Sequence, residues 1–600
     1  MPSTQSLSTL LSVWRAAVAG TNHPQPPPYT GPDVALTGFT EKTAEVAPGV
    51  AFVARVRTGS DGHPYIAQAL ERGASLILAQ RPAAEVGVVV PPGVGYLNVA
   101  DTAETLAWLS AAWEGFPSQE LVVIGITGTD GKTSTANILF SILRAAGVRA
   151  GLLSTIRAVI GDEEEPLALH VTTPEAPVVQ RYLRRMVEAG LTHVVVEATS
   201  HALAQSRVAA VAFDAAVVTN ITHEHLDYHG SYDAYFAAKR RLFESLLDEP
   251  LRVLPPNPLK AATRRVAVLN RDDASFAPLA AFLAGRPVGV WTYGMLPGDA
   301  TSGAPSPDAT SGAPSPDATS GAPSPDATAD NVTYGPDTTR LALRLAGHAP
   351  RLVASALVGE FNVYNMLAAA AAADALGIDS QAIAAGLEAV DGLSGRMERI
   401  DRGQPFLVVV DFAHTPNALE RAIGAAQRMI GAQGRADSVP LALRERDGER
   451  VPTGRVITVF GSAGKRDVEK RRLMADVSAR AADLTVLTAE DPRTESLDAI
   501  LSMMAGAAAA AGGIEGQTFW RVPDRGRAIY FALSLARPGD VVLLCGKGHE
   551  QSMAFGATEY SWDDRRAAVA ALEAWLAGRE MVDLGLPTFD GPYNSGDSSA

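Results

Sequence analysis

Apolar residues in this chain come in short bare runs separated by longer amphipathic stretches. The first runs are Val50–Ala54 and Ala74–Leu78, followed by a helical pattern over Thr102–Trp113. A second series opens with Leu121–Ile126, a glycine-rich loop and a helical pattern from Thr133 to about Ala146. His193–Val196 and Ala215–Thr219 continue it. A third contains Pro405–Val410, Val456–Phe460, Leu484–Leu487 and Val541–Leu544. Runs of this length without polar alternation, set between helices, predict parallel strands covered on both faces. The Ala-rich stretch Met503–Gly513 predicts a buried helix.

The three series imply an α/β chain of three domains, since 600 residues exceed what a single core can organise. The expected bounds are 1–117 for a small N-terminal α/β domain, 118–392 for a central parallel-sheet domain and 393–600 for a C-terminal Rossmann-like α/β domain. Residues 301–327 are three copies of TSGAPSPDA. With no large apolar side chain they cannot offset the entropy of ordering, so a disordered insertion is expected there. The polar stretch 434–455 reads as a surface insertion, and the last twenty or so residues read as a frayed tail.

Charge narrows the classes. With 51 basic and 66 acidic residues the net charge is -15, which argues against binding nucleic-acid backbones and leaves room for a small anionic substrate in a local basic pocket. A single cysteine, Cys545, excludes an internal disulfide and suits a reducing compartment. The N-terminus lacks a signal-peptide pattern and no run is long enough to span a membrane, so a cytoplasmic protein without membrane insertion is expected.

The most informative local feature is Gly125-Ile126-Thr127-Gly128-Thr129-Asp130-Gly131-Lys132-Thr133-Ser134, between a strand and a helix. Glycines let backbone N–H groups turn towards phosphate oxygens, and the helix N-terminus adds partial positive charge. Lys132 suits the β/γ phosphates and Thr133 a magnesium ion. Ile126 stands where the usual spacing has glycine, so the loop is a variant. Glu197, at a strand end, is placed to reach such a cation. The run Thr219–His229 packs three histidines and two acids, but no cysteine joins them and the spacing fits no common zinc pattern. Taken alone, each histidine reads as structural, and Lys239 as a solvated lysine on a helix.

In this order TGTDGKT, Glu-x-x-Ser-His, TNITHEHLDYHG and AAKRRLF resemble the Mur ligases. Among these the chain is most similar to the MurE type, which adds a diamino acid to a UDP-N-acetylmuramoyl-dipeptide. PGVAFVA, DGHPYI, TTPE, GEFNVYN, GRME, VDFAHTP, EDPR and GKGHE extend the resemblance over nearly the whole chain. It implies that the first domain binds the UDP-precursor, the central one ATP and the third the amino acid and nucleotide. The implied ATP site comprises Gly128, Thr129, Asp130, Gly131, Lys132, Thr133, Ser134, Asn362, Asn365, Arg396 and His414. The implied magnesium shell is Thr133, Glu197, His225 and a carbamylated Lys239, with Lys132, His225 and Lys239 as the catalytic group. Thr43, Thr172, Thr173, Thr199 and Arg207 match positions around the acceptor. Arg466, Glu490, Asp491, Arg493, Gly546 and Glu550 match the pocket for the incoming amino acid.

The reaction so implied is amide formation through an acyl phosphate in peptidoglycan precursor synthesis, by a monomer. Arg466 and Arg493 favour meso-diaminopimelate, with its second carboxylate, over L-lysine or L-ornithine. Asp491, where the family's motif usually has asparagine, pulls towards a cationic side chain. Other departures are Lys42-Thr43-Ala44 in place of Asp-Ser-Arg, Lys465 in place of an acid, and Glu224 and Asn417 where aspartate is usual. The rival readings are another ligase of the superfamily, such as a folylpolyglutamate synthase, and a non-catalytic scaffold that binds the precursor.

Overall fold

Three sheets organise the chain, and the bare apolar runs form their buried strands. The structure is a computed structural model that describes residues 4–57, 59–167, 173–222, 224–252, 257–295, 324–335, 337–436 and 454–589.

The first sheet is wholly parallel: Gly38–Thr40, Val50–Val53, Leu76–Ala79 and Gly95–Asn98 lie side by side in chain order. The helix expected over Thr102–Trp113 has those bounds, and the Asp101 carboxylate caps it by accepting the N–H groups of Ala103 and Glu104. Trp108 on that helix stacks on Trp14, with ring centroids 5.8 Å apart.

The middle sheet has eleven strands. Val122–Thr127, every residue buried, lies between the parallel strands His193–Glu197 and Ala215–Val218. Ala150–Leu153 extends the parallel part on one side, and Val266–Asn270 with Gly289–Tyr293 on the other. The sheet is not parallel throughout, as the bare runs suggested. Arg157–Ile160 and Glu163–Pro166 add an antiparallel edge. Ala327–Tyr334 pairs in parallel at Tyr293, and Thr339–Leu345 and Arg351–Ser355 follow it as an antiparallel edge on the other side. These edge strands carry exposed Glu163, Glu164, Arg340 and Arg344, and antiparallel strands tolerate one wet face. On one face the helices Lys132–Ala145 and Glu360–Ala375 share a core.

The third sheet places Leu407–Asp411, Val541–Cys545, Val456–Phe460, Leu484–Leu487 and Phe519–Arg521 in parallel, with the short Glu398–Arg399 antiparallel at one edge. The helix over the Ala-rich stretch runs Leu497–Ala510 and buries only one face, through Leu497, Ile500, Leu501, Met504, Ala505 and Ala508.

Three expectations need correction. The disordered insertion expected up to residue 327 ends earlier: the Asp326 carboxylate accepts hydrogen bonds from the backbone N–H and hydroxyl of Thr292, both 2.8 Å, and Ala327 begins a strand. Residues 301–323 lie outside the described residues. Of the insertion expected at 434–455, residues 437–453 lie outside the described residues, but its two ends belong to the fold, because the helix Pro416–Ala436 runs into it and Arg455 pairs with Asp540 at 2.7 Å. The tail is packed as far as Thr588, whose hydroxyl donates to the buried Asp524 at 2.9 Å. Among the described residues no helix is long and apolar enough to cross a membrane.

Candidate active site

In open α/β sheets ligands gather at the carboxyl ends of strands, where the strand order changes direction. Val122–Thr127 is such a place: the chain leaves it towards Ala150–Leu153 on one side and later reaches Ala215–Val218 on the other. The loop that follows is held from below. Thr129 and Asp130 donate their N–H groups to the carbonyl and side-chain oxygens of Asn220, at 2.7 and 3.0 Å. The Thr219 hydroxyl and the Asn220 amide donate in turn to the Asp130 carbonyl, at 2.6 and 3.2 Å. The Thr129 hydroxyl meets that of Tyr235 at 2.9 Å.

Gly128 and Gly131 take positive φ, and the helix begins at Lys132, with Thr133 and Ser134 buried in its first turn. Lys132 folds back over the loop and donates to the carbonyls of Gly128 and Thr129, at 3.0 and 2.6 Å. The Asp130 carboxyl is buried with Oδ2 unpartnered, and burial, reinforced by Glu224, raises its pKa.

Beside the loop, Thr133 donates to Glu197 Oε2 at 3.1 Å, and the amide and hydroxyl of Thr155 donate to the same carboxylate at 3.0 and 2.9 Å. Burial raises the pKa of Glu197. From the third sheet's side Arg396 donates to the Thr133 hydroxyl at 3.4 Å and stacks over Phe412, 4.6 Å from its centroid. His414 stands with Nε2 3.9 Å from Glu224, and burial pushes its pKa well down. Asn365, on the buried helix Glu360–Ala375, accepts from Thr135 at 3.3 Å and donates to Asn362 at 3.0 Å.

Lys239 overturns its reading as a solvated residue. It lies on the helix Tyr232–Glu244 with only 1% of its surface exposed. Its amine donates to the Gly128 carbonyl and sits 4.5 Å from the Tyr235 ring centroid. Burial first, and Lys132 second, hold its pKa well below that of an ordinary lysine. His225, at φ 55°, packs edge-on against His201 and Tyr235 and lies 3.6 Å from Glu224. Among the described residues no three His, Cys, Asp or Glu side chains are grouped to hold a metal unaided.

Thr173 and Thr199 meet at the end of the strand His193–Glu197: Thr173 donates to the Glu197 carbonyl at 2.8 Å and accepts the Thr199 N–H at 3.2 Å. Arg207 donates to the Thr173 carbonyl at 2.8 Å. Thr172 lies outside the described residues. Thr43 begins a short turn of 3-10 helix in the first sheet's unit.

The remaining set splits. Arg466 is exposed on the loop before the helix Val468–Ala481. Glu490 is buried, its Oε2 has no partner, and burial pushes its pKa up to about 7. Gly546 abuts that oxygen so closely that no Cβ fits there. Asp491 and Glu550 are not free acids: both pair with the buried Lys547, at 2.9 and 2.6 Å. Arg493 donates to the Gly464 carbonyl at 3.4 Å. Arg471 grips Glu495 through two hydrogen bonds of 2.6 and 2.7 Å, and Glu495 also accepts the Lys465 N–H at 2.9 Å, so one carboxylate ties the two loops together.

Residues 126–373 match the Mur ligase middle domain and 436–548 the Mur ligase glutamate ligase domain. The chain is 39% identical over 552 residues to the UDP-N-acetylmuramyl-tripeptide synthetase of Roseiflexus sp. (strain RS-1), covering 91% of this chain and 96% of that one. The chain belongs to the Mur ligase family. This Mur ligase is also 35% identical to the UDP-N-acetylmuramoyl-L-alanyl-D-glutamate--2,6-diaminopimelate ligase of Geobacter metallireducens, over 89% of this chain and 94% of that one. A solved structure of a ligase of the same name matches over 90% of this chain and 95% of that one, at a TM-score of 0.54 and 26% identity. The enzyme is therefore a ligase.

Sequence reasoning did not assign Asn220, Tyr235, Lys547, Arg471 or Glu495. Asn220 and Lys547 stood inside the quoted runs TNITH and GKGHE, which is the signal that could have marked them. Tyr235, Arg471 and Glu495 act through partners from 24 to 106 residues away, which no local pattern encodes.

Proposed function

We propose that this Mur ligase uses ATP to join a diamino acid, meso-diaminopimelate, to the free carboxylate of UDP-N-acetylmuramoyl-L-alanyl-D-glutamate in the cytoplasm. The observation that carries the reading is the buried meeting of Lys132, Lys239 and the Gly128 carbonyl at the mouth of the phosphate loop, with Glu197 across Thr133.

Lys132 gives the loop a cation that moves from two carbonyls to phosphate oxygens when the nucleotide enters. Arg396 and His414 close on the same loop from the third sheet, with Asn362 and Asn365 at its rim. Burial, which holds the Lys239 amine well below the ordinary lysine range, favours the uncharged form that adds to carbon dioxide with loss of a proton, and the resulting carbamate would be an oxygen donor with negative charge. The residues fit magnesium: the Thr133 hydroxyl and Glu197 carboxylate, joined by a carbamylated Lys239 and His225, are hard oxygen and nitrogen donors. When bound, magnesium supplies screening between the triphosphate and the approaching carboxylate.

The terminal phosphoryl group passes to the acceptor carboxylate, the amine of the amino acid attacks the acyl phosphate, and orthophosphate leaves. Thr173, Thr199 and Arg207 hold the acceptor beside the loop. In the amino-acid pocket the charges of Asp491 and Glu550 are met by Lys547, which leaves Arg493 as the group for a distal carboxylate and Glu490 for an ammonium. That balance favours diaminopimelate over lysine or ornithine, which lack the second carboxylate. The relatives' names support the same choice over a folylpolyglutamate synthase.

The test is to incubate the protein with ATP, magnesium, the UDP-linked dipeptide and, separately, diaminopimelate, lysine or ornithine, and to weigh the products. A mass gain of one diaminopimelate residue with equal release of ADP and phosphate is expected. Turnover only with a pteroyl-glutamate acceptor, or none with any diamino acid, would overturn the reading.

A further inference from the structure

The carboxyl ends of the first and middle sheets meet across a seam, and a cluster of charge fills it. Glu41 follows the strand Gly38–Thr40, and Arg55 and Arg57 follow Val50–Val53. Glu175, Gln205 and Arg207 come from the middle sheet's unit. Arg55 donates to Glu41 at 2.8 Å, to Glu175 at 3.4 Å and to the Gln205 carbonyl at 3.1 Å. Arg57 donates to the same two carboxylates, at 2.6 and 3.2 Å. Arg207 reaches Glu175 at 3.1 Å and the Gln205 side chain at 2.8 Å.

Three guanidinium groups thus face two carboxylates, leaving one positive charge in excess. Arg55 and Arg207 are more than nine-tenths buried, and the Nε of each of the three arginines is buried without a partner. An orphan N–H of this kind is costly unless an acceptor is supplied, and three side by side in one seam call for an anion. A strut whose only purpose was to join two units would gain more from apolar packing, because desolvating the guanidinium groups of Arg55 and Arg207 is expensive.

We propose that Arg55 and Arg57 join Arg207, already placed against the acceptor, in one anion seat across the seam, which takes an acidic group of the acceptor, a phosphate or a carboxylate. The proposal rests on the acceptor named above and goes beyond it, since Arg55 and Arg57 lie between PGVAFVA and DGHPYI and belong to neither run.

Arg57 is about a third exposed on an edge hairpin, so Arg57→Ala is expected to fold, with circular dichroism as the check. Phosphate release is measured against acceptor, ATP and diaminopimelate for wild type, Arg57→Ala and Arg57→Lys. The acceptor KM is expected to rise about tenfold or more in Arg57→Ala, with partial recovery in Arg57→Lys, while the KM values for ATP and diaminopimelate stay within about twofold. Added potassium chloride raises the wild-type acceptor KM more steeply than that of Arg57→Ala.

Calorimetry with UDP alone, and with N-acetylmuramoyl-L-alanyl-D-glutamate alone, separates the two sources: the fragment whose affinity falls in Arg57→Ala carries the seated anion. Acceptor-dependent turnover in wild type with an unchanged acceptor KM in Arg57→Ala, and no fragment losing affinity, overturns the seat and leaves a strut. If wild type shows no acceptor-dependent turnover, the function proposed above fails, and calorimetry with UDP and with pyrophosphate still decides the seat.

Discussion

The side-chain oxygen of Asn365 occupies the space that a Cβ on Gly131 would need, and Gly131 itself turns at φ 82°. One contact therefore joins the phosphate loop to a helix more than two hundred residues further along. Gly131→Ala meets both a left-handed backbone and a filled space, so ATP affinity is expected to fall by at least about tenfold. Asn365→Ala empties that space. The double variant should lose less than the sum of the two single losses, and a double-mutant cycle of nucleotide titrations checks this. Full additivity would show that the two residues are not coupled.

Lys239 is packed as well as charged, so its removal needs two variants. Lys239→Ala should lower turnover by about a hundredfold or more, and acetate or formate should restore part of it by entering the hole with a carboxylate of their own. Lys239→Met fills the hole with an apolar stem and should be equally inactive without rescue. Wild-type activity should also fall in buffer stripped of carbon dioxide. Undiminished product formation in either variant would end the carbamate assignment.

Glu490 provides a pH signature. Burial raises its pKa from an ordinary value near 4.5 to about 7, so between those values the folded protein holds a proton that the unfolded chain has released. Its contribution to stability is thus fully present below pH 4.5 and lost as pH rises through 7. The urea stability of wild type minus that of Glu490→Gln is expected to decline across this window by about 3 kcal/mol. A difference that is flat or rises with pH would contradict the burial argument.

Arg525 and Asp564 are both fully buried and joined by two hydrogen bonds of 2.7 and 2.6 Å. Arg525 also donates to the carbonyls of Ala489 and Cys545, the residues just before Glu490 and Gly546. Asp564→Ala leaves a buried guanidinium without its counter-charge and should cost about 3 to 5 kcal/mol in urea unfolding. Because Arg525 positions two loops of the proposed amino-acid pocket, the KM for diaminopimelate should rise more than that for ATP.

Much of the framework was legible because it is local. The bare runs Val456–Phe460 and Leu484–Leu487 became strands with those bounds, since uninterrupted apolar residues must be covered on both faces. The loop from Gly128 to Lys132 was legible because a strand, glycines and a helix start are adjacent in sequence. The antiparallel edges were not, because strands such as Glu163–Pro166 carry almost no apolar signal and exist by pairing with a neighbour.

The sequence by itself determined where the buried parallel strands and the phosphate loop lie, because those depend on residues within a few positions of one another. Only the tertiary structure decided what each charge faces. It buried Lys239 against Gly128, set Lys547 between Asp491 and Glu550, and brought Arg396 to Thr133 across 263 positions. The reason is physical: charge and burial act through space, and strand order, which brings distant residues within a few ångströms, is set by how the sheets pack.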